Sequence, residues 1–187
     1  MKEQMKEEQL EAIVICDLAN AIGRGGDQPY YIANDLKAFQ KRTMGHGLIC
    51  GRKTLLTFPR GLGLKGRTTF VLSRRESIES DDPQRPTKSY PSIEDLLEAT
   101  KAFQEAKPDR QLFVIGGASV YEQFITKIKR IYLTRVHAYA PNADRYFPDL
   151  KANHFVMTDH GAWLYDAENR VYYRLEIWDK MTSSGKS

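Results

Sequence analysis

Short, continuous apolar runs recur along this chain with helix-like segments between them, and that alternation restricts the possible folds more than any other feature. The runs are Ala12-Ile13-Val14-Ile15-Cys16, Leu48-Ile49-Cys50, Thr69-Phe70-Val71-Leu72, Leu112-Phe113-Val114-Ile115 and Ile131-Tyr132-Leu133-Thr134. A strand that is apolar at successive positions must be covered on both faces, which is the condition of a parallel sheet between layers of helices. The sequence predicts helices over residues 35–43, 53–58, 92–106 and 118–125. The second ends near Pro59, because the residue before a proline disfavours helix. In the third, Ser92 with Asp95 forms a capping pattern, and Ile93, Leu96, Leu97, Thr100 and Phe103 keep helical spacing. Residues 171–178 change character: Val171, Tyr173, Leu175 and Ile177 alternate with Tyr172, Arg174, Glu176 and Trp178. That period of two predicts a long antiparallel strand at the sheet's edge. Segment 76–89 is polar, carries Pro83 and Pro86, and reads as a surface loop. The expected class is α/β and three-layered, with helices on both faces of a mostly parallel sheet.

At 187 residues the chain can bury a sizeable core, and no repeat or linker divides it. The expected organisation is one domain over residues 12–180, with a flexible extension at 1–11 and a tail at 181–187. A formal net charge of +4, with Lys and Arg spread along the chain, suits a small anionic ligand better than a long nucleic-acid track. Cys16 and Cys50 lie in apolar runs and read as buried free thiols, which fits a reducing compartment. His46, His137, His154 and His160 are scattered without ligand spacing, so no metal site is expected. No apolar run approaches the length of a membrane span, and the Lys/Glu/Gln-rich start lacks the apolar segment of a secretory signal. The expectation is a cytoplasmic protein with neither membrane nor nucleic-acid partner.

The densest chemical signal runs from Ile22 through a Gly23-Arg24-Gly25-Gly26 loop into the helix that starts near Asp35. At 3.6 residues per turn, Asp35 and Phe39 share a face and Leu36 sits beside them. One carboxylate on an apolar stripe under a glycine-rich loop suits a flat heteroaromatic ring: the apolar wall sandwiches it and the acid bonds its polar edge. An acid at a helix start also serves as a cap, worth ~1 kcal/mol; Asn34 could cap instead and leave Asp35 free. Three further segments follow strands: Gly51-Arg52-Lys53-Thr54, Ser73-Arg74-Arg75 and Ile115-Gly116-Gly117-Ala118-Ser119-Val120. Each combines cations, hydroxyls or free main-chain N–H groups in a way that suits phosphate. Taken singly, each also reads as a solvated basic turn or a tight glycine turn. Together they favour one ligand along the carboxyl edge of a sheet, although neither a G-x-G-x-x-G nor a Walker pattern is present.

The order of these blocks resembles the dihydrofolate reductase family over roughly residues 12–180. The resemblance is carried by Ala21-Ile22-Gly23, the stretch from Pro29 to Phe39, Gly51-Arg52-Lys53-Thr54, Leu64-Lys65-Gly66-Arg67, Val71-Leu72-Ser73-Arg74, Val114-Ile115-Gly116-Gly117-Ala118-Ser119-Val120-Tyr121, Ile131-Tyr132-Leu133-Thr134-Arg135 and Asp144-Arg145-Tyr146-Phe147-Pro148. It implies a mostly parallel eight-stranded sheet with a last antiparallel strand. It also implies hydride transfer from NADPH to C6 of dihydrofolate with protonation at N5, giving tetrahydrofolate. On this resemblance Asp35 is the pocket acid, accepting from the pterin 2-amino group and N3, with Thr134 as its hydroxyl partner. A water carries the proton to N5. Ile13, Leu36, Phe39 and Ile115 form the substrate wall, and Arg67 grips the glutamate carboxylate. Around the cofactor stand Ile15, Ile22, Gly23, Gln28, Gly51, Arg52, Lys53, Thr54, Leu72, Ser73, Arg74, Gly116, Gly117, Ala118, Ser119, Val120 and Tyr121. Of these, Arg52, Lys53, Ser73 and Arg74 surround the adenosine 2′-phosphate, and a cis peptide joins the glycine pair. The implied protein is a monomer.

Four features depart from the family pattern: Ala33 replaces a frequent proline near the helix start, two residues are inserted around Gly61-Leu62-Gly63, and Tyr30 and Gln28 change the site itself. Tyr30 stands where the family has a tryptophan that anchors a water beside the acid, and its hydroxyl could take over that catalytic duty. Gln28 stands where an apolar residue covers the nicotinamide. Two other readings remain: a reductase of the same fold acting on a riboflavin-pathway pyrimidine, and a non-catalytic relative that binds NADPH or nucleic acid.

Overall fold

The computed structural model describes residues 9–182. Its strands are β1 (Leu10–Cys16), β2 (Ala21–Gly23), β3 (Gly47–Gly51), β4 (Thr68–Leu72), β5 (Thr87–Tyr90), β6 (Leu112–Gly116), β7 (Ile128–Val136), β8 (Arg145–Tyr146), β9 (Phe155–His160), β10 (Leu164–Asp166) and β11 (Val171–Lys180). The helices are α1 (Ala33–Thr43), α2 (Arg52–Leu56), α3 (Ile93–Ala106) and α4 (Ala118–Phe124). Each predicted apolar run became a strand. The strongest helix prediction also held: Ser92 is the N-cap of α3, and its side chain accepts from the Asp95 N–H.

The main sheet runs β5-β4-β3-β6-β1-β7-β11. The first six strands are mutually parallel, and β11 is antiparallel to β7. Chain direction along the sheet reverses once. From β1 the chain crosses to β3 and steps on to β4; from β5 it returns to β6 and crosses to β7. Right-handed crossovers therefore put α1 and α2 on one face and α3 and α4 on the other. The buried clusters agree. Leu96, Val120, Tyr121 and Phe124 pack with Leu10, Ala12, Val14 and Cys16, whereas Leu55 of α2 packs with Cys50 and Val71.

The reversal creates an opening. β1 and β6 are neighbours whose following helices leave toward opposite faces, so nothing covers the gap at their carboxyl ends. Their ladder also stops early. It registers Leu10↔Leu112, Glu11↔Phe113 and Ala12↔Val114 and goes no further, while β1 stays paired with β7 to Cys16↔Arg135. The two strands part after Ala12. The carbonyl of Ile13 instead accepts the Tyr121 hydroxyl at 2.6 Å.

Several expectations need adjustment. β1 begins at Leu10, so residues 10 and 11 belong to the sheet rather than to an extension; residues 1–8 of that extension and 183–187 of the tail lie outside the described residues. The second helix stops at Leu56 and is followed by a 3-10 turn, Pro59–Gly61. The expected loop at 76–89 ends in β5, which pairs with β4 from Thr69↔Thr87 to Leu72↔Tyr90. It was illegible because only Thr87 of its residues is buried. β11 is antiparallel as expected but lies one lane inside the edge. β10 pairs with its first half and β9 with its second, as one interrupted strand. Most residues of β9 and β10 face solvent, so no apolar pattern marks them.

Candidate active site

The gap between β1 and β6 opens into a cavity of about 920 Å³. Every residue expected at the cofactor lines it, together with Ile115, which was expected on the substrate wall, and Val14, Gly26, Asp27, Tyr31, Thr57, Arg75, Gln123, Asp144 and Arg145. Three strand ends supply the walls. At the end of β3, Gly51 precedes α2; at the end of β4 stand Ser73, Arg74 and Arg75; at the end of β6, Gly117 precedes α4. The Gly116–Gly117 peptide is cis. Gly51 is held close to the α4 turn, since a Cβ there would lie 3.1 Å from Val120 Cγ2. These walls suit a long ligand with anionic groups. Arg52, Lys53, Arg74, Arg75 and Arg145 line the cavity against two carboxylates, Asp27 and Asp144. Glu76 reaches Arg52 from outside at 3.5 Å.

The loop over the cavity is ordered by its own hydrogen bonds. Gly25 and Gly26 have φ of 59° and 86°, the left-handed region that a two-residue hairpin turn requires. Arg24 N–H donates to Asp27 O at 2.8 Å, and Asp27 N–H returns to Arg24 O at 3.2 Å. The Tyr31 hydroxyl donates to Asp27 Oδ1, and burial followed by that bond pushes the phenol up to about 12. Gly25 N–H donates to Asp144 Oδ2 at 3.1 Å, and Asp144 N–H donates to Gly23 O at 3.0 Å. Asp144 thus ties the loop to β8. The Asp-x-x-Phe-Pro block carried that signal, but its first two residues were not singled out as site residues.

Asp35 sits in the first turn of α1, half-buried, and accepts a hydrogen bond from Thr134 Oγ1 at 2.5 Å. Burial raises its pKa, and the Thr134 hydroxyl opposes the rise. Thr134 is the register partner of Ile15, which lines the cavity. The acid therefore stands at the rim of the cofactor cavity rather than in its lining. Asn34 does not cap α1, contrary to the sequence expectation. Ile32 is the N-cap and makes no side-chain bond, and Asn34 Nδ2 donates to the Tyr173 hydroxyl at 3.2 Å. Leu36 is 43% exposed, and Phe39 and Ile13 are half-buried. Leu36 and Phe39 form an incompletely covered apolar stripe along α1 next to the acid, and Ile13 belongs to β1.

Arg67 is not an exposed turn residue. It is buried, and donates from Nε to Thr43 Oγ1 at 3.1 Å, from one terminal nitrogen to Lys65 O at 2.6 Å and from the other to Gln40 O at 3.3 Å. Burial lowers its pKa. No carboxylate pairs with it among the described residues. A buried guanidinium held by neutral oxygens can still bind an anion with its remaining donors. Asp35 and Arg67 thus mark the two ends of α1, about 12 Å apart from residue 35 to residue 43 at 1.5 Å per residue.

Tyr30 and Asp35 are not brought together: no hydrogen bond joins them among the described residues. Tyr30 packs with Ile32, Val136 and Tyr173. Burial raises its pKa, the charge of Asp17 adds to the rise and that of Arg24 opposes it. Gln28 folds back, its amide donating to Tyr30 O at 2.8 Å. Cys16 and Cys50 are buried free thiols, each pushed up to about 12 by burial. Among the described residues no helix is long and apolar enough to cross a membrane.

Comparison with known proteins gives this geometry a lineage. The family model described as dihydrofolate reductase matches residues 9–180. A dihydrofolate reductase of Bacillus subtilis is 28% identical over 172 residues, covering 92% of this chain and 95% of the relative. One of Haloferax volcanii is 33% identical over 140 residues, covering 74% and 70%. The type 9 enzyme of Escherichia coli is 34% identical over 128 residues, covering 68% and 70%. With its split parallel sheet, its cavity at the split and its acid at the rim, this chain belongs to the dihydrofolate reductase family.

Proposed function

We propose that this protein reduces 7,8-dihydrofolate to tetrahydrofolate with NADPH as the hydride donor. The observation that carries the reading is the pairing of Asp35 with Thr134 at the rim of a cation-lined dinucleotide-sized cavity. When bound, the reduced nicotinamide supplies the hydride. The protein's own residues do the rest. With Thr134 donating to Oδ1, Asp35 presents its remaining lone pairs to a donor–donor edge such as the pterin 2-amino group and N3. Its raised pKa means that the free carboxylate is poorly satisfied, and a ligand that donates two hydrogen bonds stabilises the ionised form. The charge so held favours protonation at N5, which a water delivers. Leu36, Phe39 and Ile13 offer apolar surface for the ring and the benzoyl group, and Arg67 offers a two-pronged grip on the glutamate carboxylate at the far end of α1.

For the cofactor, the expected residues in the cavity lining support the phosphate-bearing form. Arg52, Lys53, Ser73 and Arg74, with Arg75 beside them, stand where two strand ends meet, and this cluster suits a 2′-phosphate. We place the protein in the cytoplasm as a monomer, with one domain that starts at β1 and runs to residue 180; the buried free thiols fit a reducing compartment. Asp35 followed by Phe39 on one face of α1, with Arg67 held against its far end, favours a folate over a ribityl phosphate-bearing pyrimidine.

The test is spectrophotometric. Purified protein with NADPH and dihydrofolate should consume NADPH absorbance, and NADH should serve far less well. Absence of turnover with both cofactors would refute the activity, and equal use of the two would refute the role of the Arg52–Arg74 cluster.

A further inference from the structure

Four of the cations that line the cavity come from two strand ends of the main sheet, and a fifth comes from a separate two-stranded sheet. Arg52 and Lys53 come from the β3–α2 turn and Arg74 and Arg75 from the end of β4, whereas Arg145 comes from β8. Its stem lies against the loop strand: a Cβ on Gly23 would meet Arg145 Cβ at 2.8 Å and Cγ at 3.1 Å. Only glycine at residue 23 lets the arginine pass over the loop and reach the cavity. One terminal nitrogen of Arg145 donates to the Asp144 carbonyl at 2.8 Å. No carboxylate pairs with Arg145 among the described residues, and the Asp144 carboxylate is engaged by Gly25 N–H. The guanidinium therefore faces the cavity with donors to spare.

Another part of the lining carries no charged side chain. The α4 turn, with Gly117, Ala118 and Ser119, contributes main-chain groups and one hydroxyl but no cation. A dinucleotide carries two negative charges on its central diphosphate, away from the 2′-phosphate at its adenosine end. The four-cation cluster can serve the 2′-phosphate, and main-chain N–H groups of the α4 turn can meet the diphosphate, which leaves its charge without a cation from those two segments.

We propose that Arg145 binds the nicotinamide-side phosphate of the cofactor's diphosphate, closing over it from β8. The inference rests on the NADPH reading above. Because its stem lies over Gly23 and its neighbour Asp144 holds Gly25, the same residue couples cofactor binding to the position of the 23–28 loop. The forked, permanently charged guanidinium is suited to a phosphate in a way that a lysine is not.

The experiment is titration of NADPH by fluorescence against the parent protein and the Arg145→Ala, Arg145→Gln and Arg145→Lys variants, with melting temperature as a folding control. Arg145→Gln keeps most of the stem over Gly23 and removes the charge. Both neutral variants should bind NADPH about tenfold more weakly, and Arg145→Lys about threefold more weakly. Reduced nicotinamide mononucleotide should lose affinity in parallel, while adenosine 2′-phosphate should bind parent and variants alike. Unchanged NADPH affinity in Arg145→Gln overturns the proposal, and so does a loss that adenosine 2′-phosphate shares, which would mean a general disturbance. A parent protein that binds no NADPH overturns the cofactor reading and this assignment with it.

Discussion

Two carboxylates withdrawn from water, Asp35 and Glu176, are treated in opposite ways by the same fold. Glu176 on β11 is saturated. Arg135 donates to its Oε2 from two nitrogens at 3.3 Å, Arg174 donates to Oε1 from two nitrogens at 3.0 Å, and Trp178 Nε1 donates to Oε2 at 3.0 Å. Arg135 in turn donates to Asp17 O and Asn20 Oδ1 at 2.7 Å each, locking the turn before β2. Asp35 receives one hydroxyl from its own side-chain neighbours. The arginines show the same contrast. Arg135 has its carboxylate, while Arg67 is buried with neutral oxygens alone. Within the β7–β11 seam Arg135, Arg174 and Glu176 answer one another; at α1 Asp35 and Arg67 have no charged partner among the described residues. A polar group that is satisfied holds structure together, and one that is withdrawn but unsatisfied is poised to bind.

The sharpest way to break this comparison is to neutralise both acids. Asp35→Asn should lower kcat/KM for dihydrofolate by about two to four orders of magnitude, while the melting temperature of the ligand-free protein holds or rises. Glu176→Gln should do the reverse. It strands buried Arg135 and half-buried Arg174 and should cost about 3–5 kcal/mol in denaturant unfolding, with KM near the parent value in whatever protein remains folded. If Asp35→Asn proves the more destabilising of the two, the contrast fails.

The arginine half of the comparison predicts a smaller effect. Arg67→Ala should raise KM for dihydrofolate by about 10–100-fold and leave kcat within about twofold, the loss of a charge-assisted contact made in ground and transition states alike. A pterin lacking the glutamate should not distinguish parent from variant. A change confined to kcat would remove Arg67 from the binding role.

A third prediction concerns pH. The folded-state pKa of Asp35 lies above its ordinary value of 3.8 because of burial, so the native protein holds that proton more tightly than the unfolded chain does. The associated stabilisation is present below the unfolded pKa and is lost as pH rises through the folded one. A melting series from acidic to neutral pH should show parent stability falling relative to Asp35→Asn across that window. Parallel curves would mean that the carboxyl is not perturbed. The smallest expected effect is at Asn34. As a cap its loss would cost ~1 kcal/mol, whereas its bond to Tyr173 predicts a change within about 0.5 kcal/mol for Asn34→Ala, measured by the same unfolding assay.

Much of this molecule was legible before its coordinates. The apolar runs at 12–16, 48–50, 69–72, 112–115 and 131–134 became central strands, because a strand buried on both faces must be apolar throughout. Ser92 capped α3 because its contact is only three residues away. The expected cofactor residues gathered along one cavity because they sit at strand ends, and parallel strands bring such ends to one edge. The misreadings share a different cause. β9 and β10 are mostly exposed and β5 buries only Thr87, so neighbours rather than patterns define them. Asn34 looked like a cap, but the end of α1 is set by how Ile32 packs with Val136 and Tyr173.

What the sequence alone determined is whatever depends on local periodicity or on short-range partners: strand identity, helix identity, the glycine loop and the acid on its apolar stripe. What only the tertiary structure decided is which charges are answered. That β1 and β6 part after Ala12, that Arg67 is buried without an anion and that Arg145 crosses Gly23 into the cavity all depend on residues tens of positions apart. Burial and charge pairing are properties of the space between elements, and that space exists only once the chain has closed around it.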